Sequence, residues 1–142
     1  MKEVTRRSAL AIGATVATTT AFLGWRLPAA AQAYGATEGT EIFPGVRVVT
    51  LGTRDSMMKA YNTVEMVDVV FQPEAEFPVG EPMEHDMVCM VTEGELQVKA
   101  GEMEFAAKPG DVWNCGKAST TEGAKNSGSV PAVMRVVYLK SA

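Results

Sequence analysis

The chain has 142 residues, 46% of them hydrophobic and 21% charged, with 13 basic against 17 acidic side chains and a formal net charge of −4. Such a surface repels phosphates and anionic lipid headgroups, which argues against nucleic acid or an acidic membrane face as partner. The length suits one domain with its own core.

In chain order, the first segment reads as an address. Thr5-Arg6-Arg7-Ser8 carries an adjacent arginine pair, an Ala/Thr-rich apolar stretch runs from Ala9 to Leu23, and Leu27 to Ala33 ends on the small-residue pattern Ala31-Gln32-Ala33. A charged start, an apolar middle and an A-x-A exit are the parts of a cleavable export signal. The pair Arg6-Arg7 makes it resemble a twin-arginine signal, which implies the twin-arginine export machinery as a partner and a periplasmic or extracellular location. Ala9 stands where such signals often carry phenylalanine. The apolar stretch is weaker and shorter than the ~20 residues of a spanning helix. Cleavage after Ala33 would leave 109 residues with 9 basic and 16 acidic side chains, a net charge of about −7.

Residues 34–44, with Gly35, Gly39 and Pro44, read as a flexible lead-in to a domain over 45–142. Val46 to Leu51 is strand-like and Gly52-Thr53 breaks it; Thr63 to Phe71 is rich in β-branched residues and ends at Gln72-Pro73-Glu74. Met87-Val88-Cys89-Met90-Val91 is apolar throughout and reads as a strand buried on both faces. After the turn Thr92-Glu93-Gly94-Glu95, residues Leu96, Val98 and Ala100 alternate with Gln97 and Lys99, the period of a half-buried strand. Gly101 turns the chain into Met103 and Phe105, Lys108-Pro109-Gly110-Asp111 turns it again into Val112-Trp113, and Ala132 to Leu139 is a long β-rich segment. Short strands at regular spacing, with no helical period after residue 33, predict an all-β sandwich or barrel.

Val91-Thr92-Glu93-Gly94-Glu95-Leu96, followed by Ala107-Lys108-Pro109-Gly110-Asp111-Val112, resembles the cupin superfamily over about Pro78 to Asn126. The resemblance implies a single-domain, double-sheet jelly-roll barrel with a pocket between the sheets, and a homodimer formed through its outer strands. It also implies a metal site of three histidines and a carboxylate, and there this chain departs. Counting back from Gly94, the family's glutamate falls on Met87 and its histidines on Glu81 and Met83, or on Gly80 and Pro82. Counting on from Gly116, its last histidine falls on Ser119. The usual metal is therefore not expected.

What is left for the pocket is sulfur and one imidazole. His85 is the only histidine, and on a regular strand Met83, His85, Met87 and Cys89 share a face. Together with Trp113, Cys115 and Ser119 they form the expected lining. Pairing of Cys89 and Cys115 as a disulfide requires their Cα atoms to come within about 7 Å. Imidazole with soft sulfur ligands favours copper, so His85, Cys89 and Cys115 make up an alternative copper or iron site. Against it, alternate strand residues stand ~6.6 Å apart, and Met and Cys are ordinary core fillers. Glu81, Glu84 and Asp86 around His85 read as a solvated face, and Ser119 has no second histidine to activate it. Three functions remain open: a small-molecule-binding barrel without a cofactor, a copper- or iron-dependent cupin enzyme or carrier, and a dimerising interaction module without ligand.

Overall fold

A computed structural model describes residues 33–142; Arg6, Arg7 and Ala31 of the expected signal lie outside them, and Ala33, the first described residue, is exposed. Ten strands make up the described part: β1 (Thr40–Phe43), β2 (Val46–Asp55), β3 (Thr63–Phe71), β4 (Glu76–Phe77), β5 (Asp86–Glu93), β6 (Leu96–Ala100), β7 (Met103–Ala107), β8 (Val112–Cys115), β9 (Gly123–Lys125) and β10 (Ala132–Lys140). They form a six-stranded sheet in the order β1-β2-β3-β10-β5-β8 and a four-stranded sheet in the order β4-β9-β6-β7, with antiparallel pairing throughout. This is the double-sheet jelly roll.

The chain's alternation decides which side chains meet between the layers. On β3, Val67, Val69 and Phe71 are buried, on β6 Leu96, Val98 and Ala100, and on β10 Ala132 and Val136. Each large apolar side chain so buried contributes roughly 1.5–3 kcal/mol relative to exposure. β10 is the spine of the larger sheet, in register with β3 from Ala132↔Phe71 to Lys140↔Thr63 and with β5 on its other side. The β5–β6 turn depends on Gly94, at φ 71°, where an added Cβ would lie 2.8 Å from the Ala132 side chain. No L-residue fits there without displacing β10.

Both open sides of the sandwich are closed by aromatic pairs. Phe43 of β1 meets Phe77 of β4 edge-to-face with centroids 5.0 Å apart, and Phe105 of β7 meets Trp113 of β8 at 5.7 Å. Each pair joins the edge strand of one sheet to the edge strand of the other.

Three sequence expectations are corrected. β5 is buried on one face only: Met87, Cys89 and Val91 point inward while Val88 is 40% exposed, because no layer covers the outer face there. β2 does not stop at Gly52 but passes it with a bulge between Thr50 and Gly52 and continues to Asp55, held by pairing with β3. The lead-in is anchored, since Thr40–Phe43 forms β1 and the Tyr34 hydroxyl donates to Asp68 at 2.5 Å.

Candidate functional site: the cavity between the sheets

The inward faces of the two sheets do not fill the space between them. A cavity of about 430 Å³ remains, open to solvent. The larger sheet supplies Met87 and Cys89 from β5, Trp113 and Cys115 from β8, and Met134, Val136 and Tyr138 from β10. Phe77 and Ala124 face them from the smaller sheet, and Glu122 enters just before β9.

The segment before β5 forms the mouth. Met83 and His85 precede the first strand residue, Asp86, so the regular strand expected across them is absent. They still line the cavity because the segment is stitched to the 116–120 loop: Met83 N–H donates to the Ser119 carbonyl (2.9 Å) and Ala118 N–H to the Met83 carbonyl (2.8 Å). Asp86 adds a clamp, accepting from Lys117 N–H at 2.8 Å and from the Tyr61 hydroxyl at 3.0 Å. The Lys117 bond first, and the Tyr61 bond after it, hold the Asp86 carboxyl below its ordinary value. The His85 ring stands edge-on to Tyr138, centroids 5.7 Å apart. Burial first, then the Glu65 and Glu84 carboxylates, push the Tyr138 hydroxyl up to about 12.

Cys89 and Cys115 are both buried free thiols. Cys115 lies opposite Met87 and Cys89 opposite Trp113, so the two sulfurs meet diagonally across the β5–β8 ladder. The neighbouring Cys115 thiol, and burial after it, raise Cys89.

Met83, His85, Met87, Cys89, Trp113 and Cys115 all line the cavity, and Ser119 does not. The Ser119 hydroxyl sits 3.2 Å from that of Thr121 at the surface. His85, Cys89 and Cys115 share the cavity without converging: among the described residues, no three His, Cys, Asp or Glu side chains are grouped to hold a metal ion. Sequence reasoning missed Met134, Tyr138 and Glu122. The first two had a signal, since Met134, Val136 and Tyr138 alternate along β10. Glu122 had none, because it stands just before β9, a strand of three residues that carries no period of its own.

No protein-family model and no curated protein matches the chain. Solved structures do. A sugar phosphate isomerase of the cupin superfamily from Silicibacter pomeroyi is 25% identical with a TM-score of 0.55, over 70% of this chain and 62% of that one. KdgF from a Halomonas species is 19% identical with a TM-score of 0.57, over 71% of this chain and 86% of that one. An RmlC-like cupin from Shewanella frigidimarina is 21% identical with a TM-score of 0.54, over 75% and 89%. The protein has a cupin fold. The chain spans less than two thirds of the isomerase's length.

Proposed function

We propose that the barrel binds a small molecule with an apolar or aromatic body in the cavity between its sheets. The observation that carries this reading is a space of about 430 Å³ left open inside an otherwise packed sandwich. Concave sites of about 300–1,000 Å³ with mostly apolar walls and a few polar groups are the usual form of small-molecule sites. The walls here have that composition: methionine and cysteine sulfur, Val136, and the rings of Phe77, Trp113 and Tyr138, with His85 and Glu122 as polar points. An interaction module without a ligand would need no such space.

Calorimetric titration with benzyl alcohol, a neutral aromatic probe, tests the reading. Binding to the wild-type chain is expected, with at least a tenfold loss in Val136→Trp and in Met134→Trp, each of which fills the cavity from β10. Unchanged binding in both variants, with the fold retained by circular dichroism, would place the ligand elsewhere and end this reading.

A further inference from the structure

Resting on the reading that the cavity holds a small molecule, we infer that this molecule is a cation, with an organic ammonium group seated against Glu122 and its apolar body between the sulfur and aromatic walls. Glu122 is 8% exposed and lines the cavity. Its one described hydrogen bond comes from Thr121 N–H to Oε2 at 3.1 Å, and among the described residues it belongs to no ion pair. Its other oxygen takes no hydrogen bond from the described residues and is still reached by solvent, so on an otherwise buried side chain it is left open to a donor from a ligand. A ligand ammonium supplies both the missing charge and the missing donors.

The other charged groups around the cavity point the same way. Two lysines border it and both are engaged: Lys140 with Glu65 at 2.5 Å, and Lys99 with Glu104 at 3.3 Å on the solvent side of β6. Glu81 and Glu84 stand at the mouth, and neither is in an ion pair among the described residues. Among the described residues, a phosphate or carboxylate ligand would meet three carboxylates outside any ion pair and no lysine outside one. A cation would be drawn in by the same field.

The walls suit a cation as well. Ring faces attract cations, most strongly when water is excluded, and Trp113 and Tyr138 both border the space. Tyr138 already takes one, since the Lys140 ammonium lies 5.9 Å from its ring centroid. A metal ion is the poorer fit, because no three ligating side chains of the described residues converge.

The test is a charge series on one aromatic body, read by calorimetry at neutral pH: benzylamine, benzyl alcohol and benzoate. Benzylamine is expected to bind at least tenfold more tightly than benzyl alcohol, with benzoate weakest. Glu122→Gln is expected to bring benzylamine within about threefold of benzyl alcohol, whereas Glu95→Gln, in the exposed β5–β6 turn, keeps the preference. Equal binding of amine and alcohol, or a preference that survives Glu122→Gln, overturns the inference and leaves the cavity reading standing. Failure of all three probes overturns the cavity reading itself. The wild-type ranking decides the matter even where Glu122→Gln does not fold.

Discussion

Asp68 is 2% exposed on the side of β3 that faces away from the cavity, and it is held by three donors. Arg135 grips it through Nε and Nη2, both at 2.8 Å, and the Tyr34 hydroxyl adds a third bond at 2.5 Å. Burial alone would raise its carboxyl; the Arg135 fork and then Tyr34 outweigh burial and hold it below the ordinary 3.8. A folded-state value below the unfolded one contributes stability that is complete above pH 3.8 and is lost as pH falls through the lower folded value. Asp68→Asn is therefore expected to cost about 2–3 kcal/mol at neutral pH, less than a fully buried pair because the Arg135 side chain is 37% exposed. In urea melts the difference between variant and wild type should shrink as pH drops from 5 to 2. A gap that stays constant over that range would mean that the carboxylate charge is not what stabilises the fold.

At the scale of elements, the sides of the sandwich are held by aromatic contacts where backbone pairing is absent. Phe43 and Phe77 sit on strands of four and two residues, too short to be secured by their own ladders. A double-mutant cycle of Phe43→Leu and Phe77→Leu is expected to give a coupling of about 1 kcal/mol beyond the area each side chain buries. Additive losses would show that the two rings pack independently. The same elements mark what could be read in the sequence. Thr63–Phe71 and Leu96–Ala100 were legible to the residue because β-branched content or strict alternation runs their full length. β1, β4 and β9 were not, since two to four residues carry no period and are made strands only by their neighbours. Apolar content is not burial at Val88, which the structure leaves 40% exposed.

For the whole molecule, the fold follows from many weak signals that agree, whereas the site follows from what the fold brings together over long separations. Cys89 was legible because the two-residue period of a strand puts it on the face of Met87. Met83 and His85 border the cavity without the strand expected to carry them: hydrogen bonds between the mouth segment and the 116–120 loop hold them there. Ser119, selected by counting from Gly116, lies on that loop but outside the cavity, because its backbone carbonyl and not its side chain serves the mouth. Glu122 was invisible in Ser119-Thr120-Thr121-Glu122, a run that reads as a polar loop. The electrostatic character of the cavity is therefore a property of the folded chain alone.

Methionine methyl groups offer the most direct view of that space. Met83, Met87 and Met134 line the cavity, whereas Met57 is fully exposed and Met103 is 63% exposed on β7. With carbon-13 methyl-labelled methionine, titration of benzylamine should shift the first three resonances together along one binding isotherm and leave Met57 and Met103 in place. Shifts at Met57 or Met103 while Met83, Met87 and Met134 remain still would contradict a ligand seated between the sheets.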